Sequence, residues 1–472
     1  MSEQMITVSS EEFNRVEKKL FEEGCEYARK KCGEWLEAQD EKILQTREKK
    51  RYRCVGIRVG TVKTKMGEVS YQRHYYRQEE GKERRHVFLL DEMLGLGENG
   101  LYSATMIDLV VEECLKTSFA KAAETVSEMT GQSISHMGAW QILQKCGAQV
   151  AERERELAEL NDQGGLQGKI ETKVLFEEMD GVWLSMQGPD RPKRSGKREI
   201  KIATQYGGWR ERGRGRYGTV GKQAYAGFDD PKEFRRRSEA RLAQRYDVDG
   251  IDVRILNGDG ASWIKGIGED VIMQLDPFHR SRALTRGLPD KIARSEVRRL
   301  LKEKDVDGAL GYIKSVAENS KEEKEAKRVK ELYRYFNDNK DHLLTWDERG
   351  IKLPPPPDGI VYRRLGTQEH SNCTLITHRM KRRKASWSIK GAEHMAKLLC
   401  LYAIGDPEKL FSNEGIARTG NHAFESLSAA KAPLRDGRGN DGGLPRGGWP
   451  YDNASLTEGR KAVKDIFHFM VI

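Results

Sequence analysis

The spacing of apolar residues changes several times along this chain, and each change predicts a different element. Over residues 11–50, apolar side chains recur every three, four or seven positions among many charged ones, which predicts a solvated amphipathic helix. The period becomes two over residues 53–59 and 67–76, which predicts a hairpin of short strands. Residues 104–159 return to helical spacing.

The second helical region contains a helix-turn-helix pattern. Its first short helix is predicted to turn inward the residues Phe119, Ala122, Val126 and Met129. Gly131 would end this helix, and Ser133 would cap a second one. Such a second helix can enter the major groove of DNA, although most helix pairs of this kind only pack together.

After a Gly-rich hinge at residues 163–168, the pattern changes to strands. They are predicted at residues 172–186, 198–206, 218–228, 251–257 and 271–275. A basic helix at residues 231–246 separates the third strand from the fourth. Three strands, a helix, a strand, a short helix and a strand is the order of an RNase H-like domain, in which the first and fourth strands are neighbours.

Helical spacing resumes at residue 281, ends at the prolines 354–357, and returns over residues 366–402. We therefore expect an α/β protein with an RNase H-like core, an all-helical insertion and a mainly helical N-terminal region. The predicted segments are a DNA-binding region (1–165), the first part of the core (166–280), the insertion (281–357), the last core helices (358–410) and a flexible Gly/Arg-rich tail (411–472).

Composition narrows the class of protein. The 472 residues include 83 Lys and Arg against 73 Asp and Glu, a net charge of +10, and 37% are hydrophobic. These values exclude an integral membrane protein and a disordered chain, and they favour local basic surfaces that bind polyanions. The seven cysteines form no C-x-x-C pair, residues 1–15 are unlike a signal peptide, and no apolar run could span a membrane. We expect a reduced, cytoplasmic protein.

Two aspartates are the first candidates for chemistry. Asp180 interrupts an apolar predicted strand, where an unpaired carboxylate is costly, and Gly181 after it leaves room for a ligand. Asp259 lies between two glycines at the end of the fourth strand. Neighbouring strands would bring the two side by side, and a divalent cation would relieve their repulsion. Alternatively, Asp180 is a strand-end residue and Asp259 an Asx-turn residue.

Further candidate residues for this site follow the two aspartates along the chain. Asp276 and His279 follow the fifth strand and could approach the metal or hold its surroundings, although a single histidine is more often structural. The third carboxylate is either Glu369 or Glu393. We favour Glu369 because a basic run follows it, although an acid at a helix N-terminus also has a purely structural explanation.

Basic residues cluster in two stretches that could contact phosphates. The predicted DNA contacts are Arg194, Lys197, Arg198, Arg379, Lys381, Arg382, Arg383, Lys384 and Trp387. Aromatic residues lie among the basic residues of the first stretch and could stack on bases. Alternatively, this stretch is a solvated loop. The run over residues 379–384 contains no acid at all.

Together these motifs resemble the ISLre-two family of bacterial insertion-sequence transposases, which is similar to the Mutator-like transposases. The resemblance rests on Met179-Asp-Gly-Val-Trp, Gly258-Asp-Gly-Ala-Ser-Trp-Ile, Asp276-Pro-Phe-His, Arg379-Met-Lys-Arg-Arg-Lys-Ala-Ser-Trp-Ser and Gly391-Ala-Glu-His-Met-Ala-Lys-Leu. It implies catalytic, metal-binding Asp180, Asp259 and Glu369, with a helical insertion before Glu369. Asp276 and His279 would match the D-x-x-H signature. Relatives commonly carry Gly after the glutamate, where this chain has His370.

The resulting expectation is a DDE-type DNA transposase. It would use Mg²⁺ or Mn²⁺, bind double-stranded DNA as a homo-oligomer and have no membrane partner; when bound to DNA it would lie at the nucleoid. Two alternatives stay open at this point. One is a catalytically inert DNA-binding regulator derived from a transposase, and the other is a stand-alone nuclease of the same fold.

Overall fold

A mixed five-stranded sheet lies at the centre of the protein, surrounded by helices. The computed structural model describes residues 9–78, 85–96, 102–265, 271–367 and 371–404, and of Arg383 only the backbone. These residues all belong to one compact unit. Glu369 and the segment 411–472, which was predicted to be a flexible tail, lie outside the described residues.

Within these residues the chain forms ten strands and twelve α-helices. The strands are β1 (Tyr52–Thr64), β2 (Gly67–Gln78), β3 (Arg85–Val87), β4 (Val174–Ser185), β5 (Lys197–Tyr206), β6 (Trp209–Gly213), β7 (Arg216–Thr219), β8 (Gln223–Gly227), β9 (Val253–Gly258) and β10 (Val271–Leu275). The helices are α1 (Ser10–Thr46), α2 (Leu89–Met93), α3 (Ala104–Lys116), α4 (Phe119–Thr130), α5 (His136–Asp162), α6 (Pro231–Ala243), α7 (Ser262–Lys265), α8 (Pro277–Gly287), α9 (Lys291–Lys302), α10 (Val306–Asn319), α11 (Glu323–Asn337) and α12 (Ile389–Ala403). A π-helix spans Cys373–Lys381.

The N-terminal region is a long helix packed on a hairpin, as its change of period predicted. Strands β1 and β2 pair antiparallel along their whole length, from Tyr52 with Gln78 to Thr64 with Gly67. Leu36 of α1 is buried against Val62 and Val69 of the hairpin. The predicted helix and hairpin are therefore confirmed, and both strands are longer than their alternating pattern indicated.

The predicted helix-turn-helix region consists of α3, α4 and α5, which contact one another. Gly131 ends α4 in the left-handed conformation (φ 65°), as expected. The cap of the next helix is Ser135, not Ser133: its Oγ accepts a hydrogen bond from the Gly138 N–H at 3.0 Å. Met129 is 54% exposed, so its predicted inward position is wrong.

The central sheet has the order β10-β9-β4-β5-β8. Strand β4 is parallel to β9, and β9 is parallel to β10. Strand β5 is antiparallel to both of its neighbours. The first and fourth predicted core strands are thus neighbours, which confirms that expectation. The predicted third strand is shorter than expected, because the residues before β8 form a separate hairpin, β6–β7.

Alternation along β4 assigns its side chains to two cores. Val182 and Leu184 contribute to a large core shared with the π-helix and α12. Met179, on the opposite face, packs with Phe234 of α6 and Ile264 of α7. The sheet is therefore covered on both faces, as the largely apolar sequence of β4 requires.

Helices α8 to α11 follow β10 and form a helical subdomain. Its core includes Ile313, Val329 and Phe336, which are almost fully buried. Within the described residues between 281 and 357 there is no strand, as the spacing predicted. In the same described ranges, no helix has both the length and the apolar character needed to cross a membrane.

We predict that Gly147→Ala lowers the melting temperature while Gly311→Ala raises it. Both glycines lie inside helices, but a Cβ at Gly147 would stand 2.3 Å from the Cβ of His394 on α12, whereas one at Gly311 would meet nothing within 4 Å. Overpacking costs about 1–3 kcal/mol, and Ala in an open helix position gains up to about 1 kcal/mol. Equal shifts in the two variants, measured by thermal denaturation, would contradict the close packing of α5 on α12.

Candidate carboxylate site

Asp180 and Asp259 occupy adjacent positions on two parallel strands. The last pair of the β4–β9 ladder is Met179 with Gly258; Asp180 is the next residue of β4, and Asp259 directly follows the end of β9. Strand register thus holds the two residues side by side at the carboxyl edge of β9. This placement follows from the backbone pairing of the two strands.

Asp180 is a buried acid whose two oxygens both accept hydrogen bonds. Asp180 is only 6% exposed to solvent. The Gly181 N–H donates to Oδ1 at 2.7 Å, and Asn372 Nδ2 donates to Oδ2 at 2.5 Å. Burial and the neighbouring charge of Asp259 raise the pKa of Asp180 to about 6. Although these hydrogen bonds stabilise the anion, they do not offset the cost of burying it.

Asp259 is held by its backbone and by a short turn. The Ala261 N–H donates to its Oδ1 at 2.9 Å, the Asx-type contact that was the structural alternative for this residue. Gly260, within that turn, has a φ of 83°, where a side chain would be strained. Tyr335 of α11 donates its hydroxyl proton to the Asp259 carbonyl oxygen at 2.7 Å, so the helical subdomain contacts the strand end.

Asp276 extends the same edge to a third parallel strand. It follows Leu275, whose strand partner is Gly258, and its N–H donates to the Gly258 carbonyl at 2.8 Å. The carboxylate caps α8 and lies 2.9 Å from His279 Nδ1. Burial acts to lower the pKa of His279, but the Asp276 hydrogen bond and the charges of Asp180 and Asp259 raise it overall. The site therefore favours a protonated histidine beside its acids.

A second row of polar side chains lies two residues deeper in the sheet. Asn257 of β9 pairs with Glu178 of β4 on one side and with Gln274 of β10 on the other. Asn257 Nδ2 donates to Glu178 at 3.3 Å, and Gln274 Nε2 donates to Asn257 Oδ1 at 3.0 Å. Tyr206 and Thr367 also donate hydroxyl hydrogen bonds to Glu178. Burial nevertheless raises the pKa of Glu178, which disfavours its charged form. This row therefore surrounds the site mainly with hydrogen-bonding groups.

Glu199 on β5 is another acid that approaches the pair. A Cβ added to Gly181 would lie 2.0 Å from Glu199 Oε1, so the glycine makes room for this carboxylate. Burial and the charge of Asp259 raise the pKa of Glu199, while Lys201 lowers it. The position of Glu199 near the site was not predicted from the sequence. The one indication in the sequence was Gly181, which leaves space beside Asp180.

Glu178 was also missed, and the period of the strand could have found it. It precedes Asp180 by two residues, so both side chains belong to the same face of β4. Asn372 and Tyr335 gave no such signal. They lie 192 residues from Asp180 and 76 residues from Asp259 in the chain, and only the folded protein brings them together.

The third predicted carboxylate, Glu369, lies outside the described residues. On either side of it in the chain, Thr367 contacts Glu178 and Asn372 contacts Asp180. Its rival Glu393 lies on α12. Burial raises the pKa of Glu393, and the charges acting on it belong to Lys397, Asp229, Arg237 and Glu154.

Asp180 and Asp259 are not among these charges, and the choice of Glu369 over Glu393 stays a prediction. Across the residues that can be described, no three His, Cys, Asp or Glu side chains are grouped closely enough to hold a metal ion unaided.

The two predicted basic clusters lie on adjoining segments. The turn between β4 and β5 contacts the segment before α12: the Gln187 N–H donates to the Trp387 carbonyl at 2.8 Å, and the Ile389 N–H donates to Asp190 Oδ2 at 2.9 Å. The exposed members of the two clusters are Arg194, Lys197, Arg198, Lys381, Arg382 and Lys384. They supply one basic surface, which we call the turn surface. The side chain of Arg383 is not described.

Two of the residues predicted to contact DNA also pack against neighbouring elements of the fold. Trp387 is 6% exposed, and its Nε1 donates to the Met380 carbonyl at 2.8 Å. Arg379 Nε donates to the Cys114 carbonyl at 2.7 Å, and its guanidinium lies 5.4 Å from the centre of the Trp387 ring. Trp387 thus contacts the π-helix, and Arg379 joins the π-helix to α3. An arginine beside an aromatic ring is a packing contact within a protein as well as a group that can contact DNA.

Comparison with known proteins identifies the family. A family model described as an uncharacterised protein family, UPF0236, matches residues 9–409. The chain belongs to the UPF0236 family. The match includes the whole central sheet, the carboxylate site and the helical subdomain.

Other UPF0236 proteins resemble this one at moderate identity. A protein of Caldanaerobacter subterraneus subsp. tengcongensis is 24% identical over 340 residues, which is 71% of this chain and 66% of that protein, just under two thirds of its length. A protein of Streptococcus gallolyticus, named for the 3′ region of vanSb, is 25% identical over 398 residues, covering 78% of this chain and 81% of the relative. The name of the first relative joins eleven locus designations, and that of another Caldanaerobacter protein, 22% identical, joins four.

We predict that Asp180→Asn raises the melting temperature of this UPF0236 protein at pH 7 in metal-free buffer. The pKa of Asp180 rises from 3.8 to about 6 on folding, so the folded state takes up a proton that the unfolded state has lost. Stability therefore falls as pH rises from about 4 to 6, by up to about 3 kcal/mol, and the amide removes this loss.

The measurement is thermal denaturation of wild type and variant between pH 4 and 8 in EDTA. The gain of the variant should shrink towards pH 4, where the wild-type carboxyl is protonated. Asp249→Asn, at an exposed position, is the matched control and should leave the melting temperature unchanged. A variant that melts lower than wild type at pH 7 would contradict the electrostatic account.

Proposed function

We propose that this UPF0236 protein is a DNA transposase that cleaves phosphodiester bonds and transfers strands with the help of a divalent metal ion. The observation that carries the proposal is the row of Asp180, Asp259 and Asp276 on three neighbouring parallel strands: Asp180 lies within β4, and the other two directly follow β9 and β10. Buried like charges at one sheet edge are expensive without a cationic partner, and they are the usual means by which polynucleotidyl transferases bind metal.

The topology supports an RNase H-like core. Numbered along the chain, the five strands of the sheet have the order 3-2-1-4-5, and the second is the one antiparallel to its neighbours. Helix α6 connects the third strand to the fourth, and α7 lies between the fourth and fifth. The subdomain of α8 to α11 then occupies the place of an insertion before the π-helix and α12. The succession of strands and helices along the chain, with the first strand beside the fourth, agrees with the expectation for such a core.

The donor groups of the site fit a hard divalent cation. The carboxylates of Asp180 and Asp259 offer oxygen ligands, which Mg²⁺ and Mn²⁺ prefer, and a nearby cation would favour the ionised form of Asp180. Asp180, Asp259 and Glu369 would hold the ion. When bound, it supplies Lewis-acid charge and makes a coordinated water more acidic.

The remaining groups would position and tune these acids. Asn372 fixes the orientation of the Asp180 carboxylate, and Tyr335 anchors the backbone of Asp259. His279, bonded to Asp276, can carry positive charge or exchange a proton beside the reacting phosphate. These roles belong to the chain itself and need no further cofactor.

Basic surfaces would hold double-stranded DNA. The turn surface carries six exposed cationic side chains, and the net charge of the chain is +10. The helices α3 to α5 would serve as the helix-turn-helix that recognises the ends of the element. Assembly as a homo-oligomer on DNA stays a prediction of this proposal.

The names of relatives add independent support. One protein name that joins eleven locus designations, and another that joins four, are what repeated copies of a mobile element in one genome would produce. A single-copy housekeeping enzyme would not give this pattern. The support concerns those relatives directly and extends to this chain through the shared family.

We predict that Asp180→Ala and Asp259→Ala each lower Mg²⁺-dependent DNA cleavage by at least about 1,000-fold, because each removes a ligand whose charge cannot be replaced. The measurement is cleavage and strand transfer of a labelled duplex carrying the ends of the element, with Mg²⁺, Mn²⁺ or EDTA. Asp249→Ala is the control and should retain wild-type rates.

Each outcome separates the proposal from its alternatives. Cleavage with strand transfer supports a transposase, whereas cleavage without transfer would indicate a stand-alone nuclease. DNA binding without cleavage in any metal would indicate a catalytically inert regulator. Full activity in both aspartate variants would exclude this site from the chemistry.

We also predict that Arg194→Ala, Arg382→Ala and Lys384→Ala together weaken duplex binding and reduce its salt dependence. Each lost phosphate contact should lower the slope of log affinity against log salt by about 0.9. Binding is measured by fluorescence anisotropy at salt concentrations from about 50 to about 300 mM, which lie on both sides of physiological ionic strength. The three side chains are exposed, so the melting temperature should not change.

Arg379→Ala is the contrasting control for this experiment. Because its guanidinium bonds to the Cys114 carbonyl, we expect a lower melting temperature and little change in the salt slope. A flat salt response in the wild-type protein would remove the electrostatic argument for DNA binding.

A further inference from the structure

A cleft opens from the carboxylate site into the helical subdomain. It lies between α8 and α11, encloses about 420 Å³, and begins at Asp259 and His279. Arg282, Arg286 and Arg328 line its other part. The cleft thus joins Asp259 and His279 to three arginines in one continuous space, and one further acid, Glu331 of α11, also lines it.

These three arginines differ from others of the same subdomain. Arg280 pairs with Glu348 at 2.8 Å, and Arg299 pairs with Glu296 and Glu303. None of the three cleft arginines forms an ion pair with a carboxylate in the part of the chain that the structure describes. All three are exposed, and one of them, Arg282, lies over the Phe278 ring at 5.9 Å.

The spacing of the arginines suits a chain of phosphates. Arg282 and Arg286 are four residues apart on α8, so they lie on one face and about 6 Å apart along the helix axis. One strand of a duplex carries a phosphate about every 3.4 Å of its axis, so this distance matches roughly two phosphates. Arg328 contributes a third guanidinium from the opposite wall, and guanidinium groups bind phosphate oxygens in a bidentate manner.

We propose that this cleft holds the phosphate backbone of a DNA strand on one side of the bond that is cleaved at Asp180 and Asp259. The inference rests on the proposed function, since it assigns part of the same substrate. A strand with one phosphate at the acids places its next phosphates among Arg282, Arg286 and Arg328. The helical subdomain then acts as a substrate clamp rather than as a spacer.

The cleft is separate from the turn surface. Its arginines come from α8 and α11, whereas the turn surface is formed by the β4–β5 turn and the segment before α12. Substitutions in the two places can therefore be compared in one protein. Each should remove its own share of the salt dependence.

The test is metal-independent DNA binding by the full chain. Fluorescence anisotropy with a labelled duplex of random sequence in EDTA compares wild type with the triple variant Arg282→Ala, Arg286→Ala and Arg328→Ala. The matched control removes three exposed charges of the same subdomain that do not line the cleft, by Arg298→Ala, Lys327→Ala and Lys330→Ala.

We expect the cleft variant to bind at least 10-fold more weakly, with a salt slope reduced by about 2 to 3. The control should change affinity by less than about threefold. A triple lysine variant at the cleft positions keeps the charge and should recover most of the salt slope but not all of the affinity, because lysine lacks the bidentate geometry. Equal effects of the cleft and control variants would overturn the proposal.

The result is independent of whether the protein cleaves DNA. If no metal supports cleavage but the cleft variant alone loses DNA affinity, the clamp stands and the transposase activity fails. If the wild type cleaves and transfers strands but the cleft variant binds like the control, the activity stands and the clamp fails. Thermal denaturation of each variant confirms that the comparison is made between folded proteins.

Discussion

Repulsion between carboxylates that the backbone forces together is the constraint on which the rest of the site depends. Pairing of β4 with β9 leaves Asp180 and Asp259 no freedom to separate, and β10 adds Asp276 on the far side. Burial, and after it the charge of Asp259, raises the pKa of Asp180 to about 6. Under the proposed function, a bound divalent cation would offset this repulsion.

The surroundings limit that cost without abolishing it. Amide and hydroxyl groups donate to the acids from distant parts of the chain, and His279 offers a positive charge beside them. The deeper row of Glu178, Asn257 and Gln274 continues to the segment that follows α11, because the Trp346 N–H donates to Gln274 Oε1 at 3.0 Å. The hydrogen bond from Tyr335 of α11 to the Asp259 carbonyl joins the sheet edge to the helical subdomain itself.

Sequence patterns anticipated what depends on local spacing. The period of two located the strands, and their order brought Asp180 and Asp259 together, since adjacent register needs no side-chain detail. Contacts made by Asn372 and Tyr335 could not be foreseen, because they join residues far apart in the chain. Trp387 was predicted to contact DNA together with the basic residues before it, and its burial depends on helices from other parts of the chain, which local spacing does not show.

Helix α5 has a consequence for how this architecture can change. It runs for 27 residues, about 40 Å, contacting α3 and α4 and, farther along, α6 and α12. Adding or removing a single residue would turn everything on one side of that point by about 100° and shift it by about 1.5 Å. Exposed positions of α5 can therefore be substituted, whereas its length fixes how α3 and α4 are oriented relative to α6 and α12.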